Sequence, residues 1–269
     1  MREQSVGTIA QFMQQKAGIK LTANKIYMIE ARLEAVVQRF GFDHIDALAA
    51  NLPQALGEVQ QAVVDALTTN ESFFFRDQKP FDAFENVLLP QAIAQARTEQ
   101  RPVRIWCAAA ATGQEPYSLA MLLASKKHHW LTVGAEILAT DLSETALSRA
   151  KDGLFTQFEV QRGLSAQRLV NYFTQENGQW QINSALRQMV QFEVHNLLHN
   201  PSRFGMFDII FCRNVLIYFD LEIKQQILAH LARQLRSGGA LVLGASETLV
   251  GVTNQFVAST EMPMVFQLV

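Results

Sequence analysis

Apolar residues recur at helical spacing through residues 1–70. Ile9, Phe12, Met13 and Ala17 share one face of a predicted helix that Gly18 ends. Ile26, Ile29, Leu33, Val36 and Val37 mark a second helix running to about Phe40, with Thr22 or Asn24 as its cap and Gly41 as its stop. Shorter helices are expected over 43–50 and 53–67, completing a small all-helical unit.

Beyond Pro102 the period changes. Residues 103–107, 137–140 and 207–212 are mostly apolar runs of strand length, and 240–244 follows the Ser237-Gly238-Gly239 turn as another. Between them, helical patterns cover 116–127, 143–151 (capped by Ser143) and 221–235. Alternation of this kind predicts an α/β domain with a mostly parallel sheet and helices on both faces. The stretch from Asp152 to Val190 interrupts it. Gly163, Asn177 and Gly178 break its pattern. A short helix is expected over 164–173, and residues 179–182 and 187–192 are candidate strands of a small antiparallel insertion. Residues 256–269 are expected to form a terminal strand pair. The expected domains are 1–75, helical, and 76–269, with the insertion at about 153–190.

Composition narrows the class. Hydrophobic residues make up 49% of the chain and charged residues 18%, so a sizeable core can form. The 18 phenylalanines point first to packing. A formal net charge of -2 gives no support to a nucleic-acid partner held by bulk electrostatics. Cys107 and Cys212 sit in apolar runs and are expected to be reduced core thiols. Neither a secretory signal nor a transmembrane run stands out, so a cytoplasmic protein is expected. His128 and His129 are adjacent and His195, His199 and His230 isolated, without the spacing of a metal site.

The 108–116 loop is the first candidate for chemistry. It joins a strand to a helix with minimal side chains, where a ligand can approach the backbone and helix-start amides. Ala109, Ala111 and Gly113 stand where a dinucleotide-binding loop has three glycines. The two alanines and the Glu115 carboxylate disfavour a wrapped pyrophosphate, and hence an NAD enzyme; Glu115 suits a cationic ligand instead. A turn without a ligand remains open here. Asp141, at the tip of the next strand, is placed either to hold a ribose or to cap the following helix. Arg213 and Asn214 interrupt an apolar strand at its exit, which points either to a crevice or to a polar pair closing the strand. Tyr218 follows Asn214 by four residues. The 68–76 block gathers Thr69, Asn70 and Ser72 with Phe73, Phe74 and Phe75 beside Arg76, more aromatics than one helical face can bury. It reads as an interdomain junction or a ligand cover. Lys25, Arg32 and Arg39, seven apart on the second helix, form either a solvated basic face or a docking stripe for an acidic helical partner.

Taken together, the 67–76 block LTTNESFFFR, the 108–118 block AAAATGQEPYS, Thr140-Asp141, Asn196-Leu197 and the 207–219 block FDIIFCRNVLIYF resemble the bacterial chemotaxis receptor methyltransferases, the CheR-like family of protein-glutamate O-methyltransferases. The resemblance covers almost the whole chain. It implies a Rossmann-like S-adenosylmethionine-dependent methyltransferase domain beside the helical one, with S-adenosylhomocysteine as product and no metal. By matched position it implies that Asn70, Ser72, Arg76, Glu115, Asp141, Asn196, Leu197, Arg213 and Asn214 hold the donor, with Ala109 and Gly113 expected beside them from the small-residue loop. Glu115 falls near the methionine amino group, Asp141 at the ribose, and Asn196 and Leu197 at the adenine. Arg76 and Tyr218 match the residues that arrange the substrate glutamate. Ser72 stands where many relatives have threonine, and Gln114 where many have a second acid. The implied partner is the cytoplasmic helical region of a methyl-accepting chemoreceptor, docked through Lys25, Arg32 and Arg39. The segment after Phe173 is shorter than in relatives that grip a receptor tail, so a tail tether is not expected; a monomer is. Two alternatives share the fold: a donor-sensing module that no longer catalyses, and a methyltransferase for another protein or a small molecule.

Overall fold

The computed structural model describes residues 1–21, 26–126 and 132–269. Thr22, Asn24 and Lys25, and Lys127, His128 and His129, lie outside the described residues. Among the described residues, four α-helices build the amino-terminal unit: α1 (Glu3–Ala17), α2 (Ile26–Phe40), α3 (Ile45–Asn51) and α4 (Gly57–Leu67). Gly18 ends α1 in the left-handed conformation, its amide donating to Gln14 O. The apolar faces read from the sequence meet in one core of Ile9, Phe12, Met13 and Ala17 against Ile29, Leu33, Val36 and Val37. Ile26 is only half-buried. Arg32 Nη1 donates to the carbonyls of Leu67 (3.5 Å) and Thr68 (3.0 Å), so it caps the carboxyl end of α4 instead of standing free on a basic stripe. Arg39 lies exposed, its guanidinium 5.0 Å from the Phe40 ring centre.

A helical run that the sequence pattern did not delineate follows. It comprises α5 (Lys79–Ala83), a π-helical turn (Phe84–Leu88) and α6 (Leu89–Thr98). Pro80 and Pro90 sit in the first turns of α5 and α6, where a missing amide costs least. Phe81, Phe84, Leu88, Leu89 and Ile93 of this run cover one face of the main sheet.

That sheet has seven strands in the order β6-β2-β1-β7-β8-β10-β9. These are β1 (Val103–Ala108), β2 (Ala135–Asp141), β6 (Val190–Val194), β7 (Phe207–Phe211), β8 (Leu235–Val242), β9 (Phe256–Ala258) and β10 (Val265–Leu268). The pairs from β6 through β8 are parallel, and β10 runs antiparallel to both neighbours. Val103, Ile105 and Cys107 of β1 enter one core, while Trp106 and Ala108 enter the other. Burial on both faces explains why the central strands are mostly apolar. Helices α7 (Gln114–Ser125) and α8 (Glu144–Asp152) cover the first face; α12 (Leu221–Gln234) covers the second. Ser143 caps α8 as expected, accepting from Ala146 N at 3.1 Å.

Two expectations need correction. Residues 187–192 do not join the small antiparallel sheet. Ser184–Arg187 is a short helix (α11), and β6 is the edge strand of the main sheet, parallel to β2. The small sheet pairs β3 (Leu154–Phe155), β5 (Gln179–Ile182) and β4 (Phe173–Glu176), with the helices Gln157–Gln161 (α9) and Ala166–Tyr172 (α10) between β3 and β4. Both β6 and an edge strand of a small sheet carry alternating burial, so one-dimensional pattern could not separate them. The glycine turn before β8 is likewise not a separate turn. Strand pairing starts at Leu235↔Phe207, and Gly238-Gly239 falls in a register shift before Ala240↔Ile209.

The insertion is keyed to the 72–76 segment. A Cβ on Gly163, whose φ is +99°, would stand 1.8 Å from Phe74 O. Gly163→Ala is therefore expected to cost about 2–4 kcal/mol, measured as the shift of the urea midpoint at constant m. An unchanged midpoint would show that the two segments separate freely.

Candidate functional site

The carboxyl ends of β1, β2 and β7 open into one cavity, because β1 is where the chain order of strands reverses direction. The helical unit closes it from the other side through Ala17, Ile19, Leu21 and Met28. The cavity is lined by Asn70, Ser72, Arg76, Ala109, Glu115, Asp141, Asn196, Leu197, Arg213, Asn214 and Tyr218, every site residue expected from sequence except Gly113. Phe73, His195 and Phe219 line it too.

The 108–113 loop takes a shape that usually calls for glycine. Ala109, Ala111 and Gly113 all have positive φ, at 66°, 48° and 93°. Alanine in this region costs roughly 1–2 kcal/mol, so the surroundings must hold it. They do: Ala110 N donates to Thr140 O at 2.9 Å and Ala111 N to Asp141 Oδ2 at 2.8 Å. Gly113 has a different role. A Cβ there would meet Ala150 Cβ at 2.9 Å, so glycine lets α7 approach α8 instead of admitting a ligand.

Asp141 binds this loop to the next. Its Oδ1 accepts from Ser143 N at 2.9 Å, while Oδ2 holds Ala111 N. Ser143, not Asp141, caps the helix, so the carboxylate is left to shape the cavity. Burial pushes the Asp141 carboxyl above the usual carboxylate range, opposed by the amides of Ser143, Ala111 and Leu142.

Arg213 organises the opposite wall. Its side chain is 2% exposed, and Nη1 donates to Glu115 Oε2 at 2.8 Å. Nη2 donates to Arg76 O at 2.6 Å and to Asp77 Oδ2 at 2.9 Å. Those bonds grip a strained segment: Phe75, Asp77 and Gln78 all have positive φ, at 51°, 65° and 31°. Burial raises the Glu115 pKa, and the adjoining Arg213 guanidinium pulls it back down. Two carboxylates around one guanidinium leave the group with net negative charge, favourable to a cationic ligand.

The aromatic triplet divides its work. Phe74 and Phe75 are buried in the sheet core, and Phe75 N donates to Ser118 Oγ at 3.0 Å. Phe73 is half-buried at the cavity, under the guanidinium groups of Arg162 (4.3 Å) and Arg76 (5.3 Å). Arg76 Nη1 donates to Glu71 O at 3.3 Å. The block is thus both an interdomain junction and part of the cavity wall.

Asn196, on the cavity wall, also makes a structural contact. Its Nδ2 donates to Lys16 O at 2.7 Å and its Oδ1 accepts from Leu198 N at 3.0 Å. The side chain holds α1 against the cavity rim. His195 went unassigned in the sequence. Burial, with Arg203, His199 and His230 nearby, lowers its pKa to about 4, so it is neutral at pH 7. Its ring packs edge-on to Phe204, 5.0 Å between centres. Asp77 and Glu247 were also missed. Each is an isolated acid in a polar stretch, and only folding brings it to Arg213 or to the 214–216 backbone.

The family profile described as CheR methyltransferase, SAM binding domain, matches residues 70–265, and that described as CheR methyltransferase, all-alpha domain, matches residues 5–68. Chemotaxis protein methyltransferase 1 of Pseudomonas aeruginosa is 40% identical over 249 residues, covering 91% of this chain and 90% of that protein. Chemotaxis protein methyltransferase Cher2 of Pseudomonas putida is 39% identical over 250 residues, with the same coverage of 91% and 90%. The chemotaxis protein methyltransferase of Salmonella typhimurium is 33% identical over 261 residues, covering 92% of this chain and 85% of that protein.

The raised Asp141 pKa has a definite sign. A carboxyl that binds its proton more tightly when folded contributes full stability below the ordinary carboxylate pKa and loses it as pH rises through the folded pKa. Asp141→Asn removes that titration. The unfolding free energy of the parent should therefore fall relative to that of Asp141→Asn as pH rises from about 4 towards neutrality. A difference that stays constant with pH would contradict the buried, protonatable carboxyl.

Proposed function

The chain belongs to the CheR methyltransferase family, and from that premise we propose that it forms methyl esters on glutamate side chains in the cytoplasmic helical region of a chemoreceptor. The observation that carries this reading is a cavity between the helical unit and the sheet, where nearly all the residues expected to meet donor and substrate converge.

The chemistry of the lining fits S-adenosylmethionine. Glu115 offers a buried carboxylate for an ammonium group, and among the described residues no donor reaches its Oε1. Asp141 offers a carboxylate at the β2 tip for vicinal hydroxyls, and Leu197 an apolar wall for a base. Asn70, Ser72, Arg213 and Asn214 complete the polar lining, with Ala109 allowing close approach. Bound there, the donor would supply a methyl group activated on a sulfonium. Gly113 serves this site indirectly, by seating α7.

The protein's own task is positioning. A free glutamate side chain has a pKa of about 4.3, so the attacking carboxylate is ionised at neutral pH and needs no strong base. Arg76 and Tyr218, both on the cavity wall, orient that carboxylate, Arg76 by charge and Tyr218 by hydrogen bonding. Closing the cavity around it removes water that would shield the nucleophile. The receptor's acidic helical surface meets α2, where Arg39 is exposed. Arg32 contributes less to that surface, since one of its nitrogens is committed to α4. Docking without a receptor-tail tether follows from the short insertion. Among the described residues no helix is long and apolar enough to cross a membrane; together with a cytoplasmic receptor region as substrate, this supports a cytoplasmic site of action.

Labelled methyl groups should pass from the donor to receptor cytoplasmic fragments and be released by mild base from glutamate. Label on another residue type would overturn the glutamate assignment. Tyr218→Phe should lower the single-turnover rate on the order of 10²-fold with donor affinity nearly unchanged, read by rapid quench and calorimetry. An unaltered rate would reject the role given to Tyr218.

A further inference from the structure

Glu247 lies after the exit of β8, outside the cavity lining, yet its carboxylate is bound to the backbone that carries two lining residues. Oε2 accepts from Asn214 N at 2.8 Å and from Gly244 N at 2.7 Å. Oε1 accepts from Val215 N at 3.0 Å and from Leu216 N at 2.8 Å. Three successive amides converge on one anion because Asn214 has a φ of +57°, which curls the chain into a concave nest. Asparagine tolerates that conformation better than most side chains.

A second feature of the same turn points the same way. Gly244 stands against Asn214: a Cβ there would come within 2.7 Å of Asn214 Nδ2 and 2.9 Å of Asn214 N. The 244–247 turn, closed by Glu247 N donating to Gly244 O at 3.0 Å, is therefore moulded to the 214–216 backbone on two sides. Tyr218 hangs from that backbone, its amide donating to Val215 O at 3.2 Å.

With two amide donors on each oxygen, the carboxylate has its lone pairs occupied and is unavailable as a proton acceptor for substrate. We propose that Glu247 is a positioning residue for methyl transfer: it sets the 214–216 backbone and thereby aims Asn214 and Tyr218 into the cavity. This rests on the role proposed above for Tyr218. Charge-assisted bonds from a fixed carboxylate hold a loop far more tightly than water would, and small misplacements of an orienting group are costly in rate.

The test uses the full chain carrying Glu247→Gln, with Glu247→Ala as the stronger lesion. In Glu247→Gln an amide NH2 replaces one acceptor, so two of the four amides lose their partner while size is kept. Hydrogen exchange should accelerate in peptides spanning 214–218 while β1 and β2 keep their protection. The single-turnover rate at saturating donor should fall on the order of 10–10²-fold. In a Tyr218→Phe background the same change should cost less than it does alone, because only the part carried by Asn214 remains. Unchanged exchange in 214–218 overturns the proposal. So does acceleration of all segments together, which marks general destabilisation, or a full multiplicative loss in the double variant. If Tyr218→Phe alone leaves the rate intact, the reading of Tyr218 fails, and the exchange measurement still decides whether Glu247 sets the loop.

Discussion

The buried ion pair between Arg213 and Glu115 is the constraint on which the site depends. A guanidinium with a 2%-exposed side chain is tolerable only with partners, and these come from two separate parts of the chain: Glu115 at the start of α7, and Asp77 with the Arg76 carbonyl in the interdomain segment. Removing one partner from such a group costs about 3–5 kcal/mol. The loop after β7, the loop after β1 and the 75–78 turn are thus held as one unit, and the strain in Phe75, Asp77 and Gln78 is borne by those contacts. The same contacts concentrate negative charge where a cationic donor would lie.

A second carboxylate does the same on the other wall. Asp141 ties the amides of Ala111 and Ser143 across the tips of β1 and β2, and Glu247 ties the amides after β7 to the exit of β8. Three acids therefore define the loops at the carboxyl edge of the sheet, each by binding backbone or a buried cation. The sheet supplies the rigid base, being buried on both faces, and the helical unit supplies the lid through Lys16, Gln14 and Asp65, which bond to Asn196, Asp220 and Thr145. A site made this way has fixed geometry, which is what the proposed transfer to an already ionised nucleophile requires.

Much of this was legible in the residues. Strands buried on both faces are mostly apolar runs, and α1, α2 and α4 bury one stripe each, so their periods are plain. The positive φ values at Ala109 and Ala111 agree with a reading that placed them at glycine positions. The run from Lys79 to Thr98 was harder, because its π-helical turn and two prolines break the 3.6-residue period. The strand at Val190–Val194 was misplaced because a short alternating edge strand does not reveal which sheet it joins.

The sequence by itself determined the alternation of strand and helix, the small-residue loop, and the acids and arginine standing at strand exits, because those signals are local in period and chemistry. Only the tertiary structure decided what each polar group does. Asn196 is occupied with α1, Arg32 caps α4, Gly113 makes room for Ala150, and Glu247 gathers amides that lie about thirty residues away. Those roles depend on which backbone groups a fold brings within hydrogen-bonding distance, and no spacing along the chain records that distance.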